Sequence, residues 1–142
     1  VKSVRGAPEE PVRQALVRHL VEDLGVPRQC LRLEMSLSSR DRKVRDRVDV
    51  AVFSAAGGTA VPVLLAECKA PGIPLDAQVA AQVRRYLRLL PARWAVVSNG
   101  RQILSWVAEP GGWVPRPLPP WEEMRNPGFP SQGSAGEEGG PV

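Results

Sequence analysis

Leu64-Leu65-Ala66-Glu67-Cys68-Lys69 is an apolar run interrupted near its end by a carboxylate and an amine. Side chains alternate across a strand, so Glu67 and Lys69, two residues apart, project from the same face. Opposite charges on a core strand are costly unless they pair, bind an ion or meet a ligand. Asp49 has a similar setting, because it interrupts Val48, Val50 and Val52 in a second strand-like stretch. Two strands, each carrying an acid within an apolar run, form the centre from which the remaining elements are read.

On the N-terminal side, Ala55-Ala56-Gly57-Gly58-Thr59 is a flexible turn joining a strand over 44–53 to one over 61–69. A strongly basic segment, Ser38-Ser39-Arg40-Asp41-Arg42-Lys43, turns into the first of these. Before it, Leu31, Leu33, Met35 and Leu37 alternate with polar residues, the pattern of a half-buried strand. These three strands predict a meander. Upstream, Ala7-Pro8-Glu9-Glu10 opens a helix, with the acids at the positive end of its dipole. Val12, Leu16, Val17, Leu20, Val21 and Leu24 form its apolar stripe, and Gly25 stops it ahead of Pro27.

On the C-terminal side, Pro71-Gly72-Ile73-Pro74 breaks the pattern. Asp76 then caps a helix that runs through Val79, Gln82, Val83, Tyr86, Leu87 and Leu90 to Pro91. Trp94 to Ser98 is near-continuously apolar, as a buried strand should be. Asn99-Gly100 turns it into a last strand over 101–107, after which Gly111-Gly112 turns into Trp113. The order helix, three strands, helix, two strands predicts an α/β domain with a central mixed β-sheet flanked by helices. No internal repeat is visible.

A chain of 142 residues accommodates one domain rather than two. Its apolar content of 43% suffices for a modest core. From Pro117 onward the composition shifts to Pro, Gly, Ser and Glu. The expected organisation is a folded domain over 1–116 and a largely disordered tail over 117–142, with Trp121 available as one further contact. The net charge is +4, but Glu122, Glu123, Glu137 and Glu138 against Arg125 make the tail −3, leaving +7 on the body. A basic body favours a polyanionic partner. Cys30 and Cys68 are the only cysteines and lack metal-ligand spacing, which fits reduced thiols in a cytoplasmic protein. His19 is the only histidine, so a zinc finger, a His-based nuclease or a Ser-His-Asp hydrolase is hard to build. No apolar run approaches membrane-spanning length and no signal peptide is apparent, so no membrane partner is expected.

A Glu on a helix, an Asp on a strand, Glu-x-Lys on the next strand and then a helix is the order of the PD-(D/E)XK nuclease superfamily. Pro8-Glu9-Glu10-x-Val12-Arg13-Gln14, Arg47-x-Asp49, Glu67-Cys68-Lys69-Ala70-Pro71 and Gln82-x-x-x-Tyr86 together resemble the N-terminal nuclease domain of type I restriction enzyme R subunits. Asn99-Gly100 after the apolar strand fits the same family, and the resemblance spans about 8–107. Asp49 follows Val rather than the Pro of the superfamily motif, a change that removes no ligand. The chain has no P-loop, so it resembles a stand-alone version of the nuclease module.

The resemblance implies a restriction-endonuclease-like fold and a Mg²⁺-dependent endodeoxyribonuclease, with Mn²⁺ as an alternative ion and 5′-phosphate and 3′-hydroxyl products. Asp49, Glu67 and the Cys68 backbone carbonyl would hold the ion, since hard oxygens suit Mg²⁺. Lys69 would orient or help deprotonate the attacking water and stabilise charge on the phosphate. Glu10 would reach the ion through water, with Glu9 as the fallback. Gln82 would lie near the active site, and Tyr86 would support it or touch DNA. Arg84, Arg85 and Arg88 on the same helix are candidates for phosphate contacts, and Arg40, Arg42, Lys43, Arg45 and Arg47 form a basic hairpin beside Asp49. Beside these functional readings stand plainer ones: a Glu67–Lys69 ion pair, a helix-start acid at Glu10, a core Tyr86 and solvated arginines. The expected partners are DNA and restriction-system or other proteins, and a homodimer is compatible. The alternatives are a catalytically weak DNA- or protein-docking module on the same fold, and a repair or junction-resolving nuclease.

Overall fold

The computed structural model describes residues 8–37, 46–56 and 58–126. Its sheet has six strands: β1 (Leu31–Leu37), β2 (Asp46–Ala56), β3 (Thr59–Cys68), β4 (Trp94–Ser98), β5 (Ile103–Glu109) and β6 (Gly112–Pro115). They lie side by side in chain order. Every neighbouring pair is antiparallel except β3 and β4, which run parallel. A parallel pair needs a crossover, and helix α2 (Ala77–Leu89) supplies it. This is the α/β, restriction-endonuclease-like arrangement expected: a mixed sheet with helices on both faces.

Helix α1 (Glu10–Arg18) continues as a wider turn over His19–Asp23 and ends at Gly25, whose φ of +82° suits a residue without Cβ. Val12, Leu16 and Leu20 of this segment pack against Val50, Val52, Leu64, Ala66 and Val96. On the other face, Val79, Val83, Tyr86 and Leu87 of α2 cover Ala51, Leu65, Ala95, Val97 and Trp106. From Leu64 to Ala66 in β3, and from Trp94 to Val97 in β4, successive residues thus enter opposite cores, which is why both stretches read as unbroken apolar runs. Asp76 caps α2 as predicted, its carboxylate accepting from the N–H groups of Gln78 and Val79. Pro62, which has no N–H to offer, sits where the β2–β3 register shifts.

Two features depart from expectation. The residues after the Gly111-Gly112 turn form a sixth strand, β6, with Val114 paired to Val107. The folded body also continues past the boundary expected at Arg116. A short helix α3 (Trp121–Met124) buries both Trp121 and Met124 in the α1 core, and the Trp121 N–H donates to the Leu24 carbonyl at 2.7 Å. The apolar side chains of this segment outweigh its Pro- and Glu-rich surroundings. Val44, Arg40, Arg42, Lys43 and Arg45 lie outside the described residues.

Candidate active site

Among the described residues, the buried polar side chains are Glu67, Ser98 and Asn99. All three lie at one end of the sheet, where the parallel strands β3 and β4 finish. Here the β2–β3 ladder ends at Val50↔Ala66, and the next position on each strand is an acid: Asp49 and Glu67. In place of a further ladder bond, the Cys68 N–H donates to Asp49 Oδ2 at 2.7 Å. The Cys68 side chain enters the α1 core, so Glu67 and Lys69 project from the opposite face, as alternation requires. Burial pushes the Cys68 thiol up to about 12, so it is neutral and no thiolate ligand.

Glu67 is only 6% exposed. Its Oε2 lies 3.4 Å from Lys69 Nζ, while its Oε1 is buried without a hydrogen-bond partner. Burial first, and then the neighbouring Asp49 charge, push its pKa up to about 8 against the pull of Lys69. Asp49 is half-buried and is also raised by burial, opposed chiefly by the Cys68 N–H and also by the Arg13 and Lys69 charges. Both carboxyls are thus harder to ionise than usual, Glu67 the more so. An acid buried with one oxygen unsatisfied is costly in isolation. Two hard carboxylates converging there, with the only nearby thiol turned away, fit a hard divalent cation better than zinc. Asp49 and Glu67 are the residues that could hold it.

Glu10 starts α1 and is bonded by Arg13 and Gln14, which lower its pKa. Among the described residues no group of three His, Cys, Asp or Glu is placed to hold a metal, so Glu10 does not complete a triad with the two strand acids. Arg13 also donates to Glu34 Oε2 at 2.6 Å, and Arg47 approaches Glu34 Oε1 at 3.9 Å. Glu34 falls between the pairs Leu33↔Val50 and Met35↔Val48, opposite Asp49, and has a φ of +52°. The left-handed region costs a residue with Cβ roughly 1–2 kcal/mol, and such strain gathers at functional sites. Arg13 and Glu34 were not among the expected site residues. The spacing of Arg13 from Glu10, one helical turn, was a visible signal; the backbone twist at Glu34 has none.

The family described as "Type I restriction enzyme R protein N terminus" matches residues 8–113. The chain belongs to this family. No curated protein and no solved structure matches it. In this R-protein N-terminal domain the family match spans α1 through the start of β6, and so contains every element that builds the site.

The α2 residues divide. Gln82 donates to Tyr86 Oη at 2.9 Å, as their one-turn spacing suggested. Tyr86 is buried at 4% exposure: its ring packs in the core and its hydroxyl holds Gln82, which fits the supporting alternative rather than the one in which it touches DNA. Arg85 and Arg88 are exposed and, with Gln82 and Lys69, line a groove of about 880 Å³ beside α2. Arg84 is half-buried and does not line that groove. Arg47 is exposed on β2 two residues from Asp49. Arg42, Lys43 and Arg45, expected to contact DNA, lie outside the described residues. His19 is a surface residue paired with Asp23. Among the described residues, no helix is long and apolar enough to cross a membrane.

Proposed function

We propose that this R-protein N-terminal domain is a Mg²⁺-dependent endodeoxyribonuclease of the PD-(D/E)XK kind. One observation carries the reading. Two carboxyls from neighbouring strands meet at a buried spot, one with an unsatisfied oxygen, and a lysine stands on the same face. The reaction joins a water oxygen to phosphorus and breaks the bond from phosphorus to the 3′ oxygen, giving 5′-phosphate and 3′-hydroxyl ends. Asp49, Glu67 and the Cys68 carbonyl would hold Mg²⁺ or Mn²⁺. Bound there, the cation would supply positive charge to the phosphate and Lewis acidity toward the incoming water.

Lys69 orients that water and stabilises the charge that develops on the phosphate. Glu67 must release its proton before it can serve as a ligand, so loading is favoured as pH rises. Gln82, fixed by Tyr86, offers an amide at the groove wall, and Glu10 acts through its contact with Arg13. Arg47, Arg84 and Arg85, with Arg42, Lys43 and Arg45, supply the positive field for DNA. Restriction-system proteins are the further partners that family membership suggests, and the cytoplasm is the matching compartment. One observation favours a second reading, a weakly active docking module: Arg13 engages Glu10, and among the described residues no third acid joins the pair.

Plasmid cleavage with Mg²⁺ or Mn²⁺, comparing the native chain with Glu67→Ala and Lys69→Ala, tests the proposal. Nicking that falls by about 100-fold or more in both variants is the expected result. A native chain that binds DNA but leaves plasmid intact with either ion would favour the docking module. Unchanged activity in both variants would place the chemistry elsewhere.

A further inference from the structure

The groove beside α2 is not needed to hold an ion, yet it opens from Lys69. One wall is the helix face of Gln82, Arg85 and Arg88, and the other is the segment containing Ile73 and Pro74. That second wall is built with care. The Ile73 N–H donates to the Ala70 carbonyl at 3.0 Å, and the Asn99 side-chain amide donates to the Ile73 carbonyl at 2.8 Å. Asn99 is buried, and its Oδ1 accepts from the N–H groups of Arg101 and Gln102. The segment after Lys69 is therefore tied to the turn after β4. Ile73 nonetheless leaves 43% of its surface exposed.

Three cations and an aliphatic wall along one open channel match a single nucleic-acid strand, whose phosphates alternate with apolar sugar and base surface. Asp76, at the N-terminal end of α2, lines the groove away from the arginines and disfavours a phosphate there. We infer that the scissile DNA strand lies in this groove, with phosphates on Arg85 and Arg88 and a sugar against Ile73 and Pro74, and reaches the reacting centre past Lys69. The assignment rests on the nuclease reading above and adds the surface that the strand occupies.

Anisotropy of a fluorescent oligonucleotide in EDTA, single-stranded and duplex, separates the two claims because no turnover occurs. Arg88→Glu should weaken binding about tenfold or more, and Arg88→Ala should lower the slope of log affinity against log salt by about one. Arg28→Ala, on the turn before β1, should leave both unchanged. Arg85 lies over the Tyr86 ring at 5.6 Å, so Arg88 is the cleaner position. Native-like binding by Arg88→Glu, in a chain whose native form cleaves plasmid, would overturn the groove and leave the nuclease intact. A native chain that neither binds nor cleaves DNA would overturn both.

Discussion

Glu67 is an acid that its surroundings keep protonated at neutral pH. Its pKa rises from the usual 4.5 to about 8, through burial and then through Asp49. Between those two values the native state holds a proton that the unfolded chain has released. Stability contributed by Glu67 is thus fully present below about pH 4.5 and is lost as pH rises through about 8. The slope approaches ~1.4 kcal/mol per pH unit within that window, and Asp49, also raised, adds loss in the same direction. Urea denaturation in EDTA should therefore show the native chain weakening from pH 5 to pH 8, with a flatter profile in Glu67→Gln. Equal slopes in the two proteins would contradict the raised Glu67 pKa. Mg²⁺ or Mn²⁺ should raise the melting temperature more at pH 8 than at pH 6, since the proton must leave first. Glu67→Gln should lose most of that gain, and a pH-independent gain in both would argue for ion binding elsewhere.

At the level of elements, the site depends on how the ends of strands and helices are tied. Gly100 has a φ of +88°, and a Cβ added there would meet Val12 Cγ2 at 3.2 Å. Gly100→Ala should cost about 1–2 kcal/mol from the backbone alone. The crowding would also press on α1, which carries Glu10 and Arg13. Asp76→Ala removes an N-cap that satisfies two α2 N–H groups and should cost about 1 kcal/mol. Chemical denaturation measures both. A Gly100→Ala variant as stable as the native chain would mean that α1 yields freely, and that the Glu10–Arg13 contact is not held by the turn after β4.

Across the whole molecule, the sheet is stable because both faces are covered, and Trp121 closes part of the α1 face. Trp121→Ala should cost about 3–5 kcal/mol. A chain ending at Arg116 should be similarly weakened, whereas one ending at Asn126 should keep native stability in the same urea titration. If the chain ending at Arg116 matched the native stability, the domain would close without α3, and its Trp121 contact with Leu24 would be incidental.

Much of this architecture was written in periodicity. Alternation along 31–37, the apolar runs of β3 and β4, and the stripes of the two main helices located those elements. The Glu-x-Lys spacing fixed Glu67 and Lys69 on one face, because strand period is a local property. Tertiary structure decided the rest. Only cross-strand register set Asp49 beside Glu67 and left Glu67 Oε1 unsatisfied. Only packing made Tyr86 a core residue, brought Arg13 to Glu34 and drew Trp121 inside. A sequence states which way each side chain faces along its own element. Burial, pKa shifts and ion bridges depend on what lies across from it, and long-range packing alone determines that.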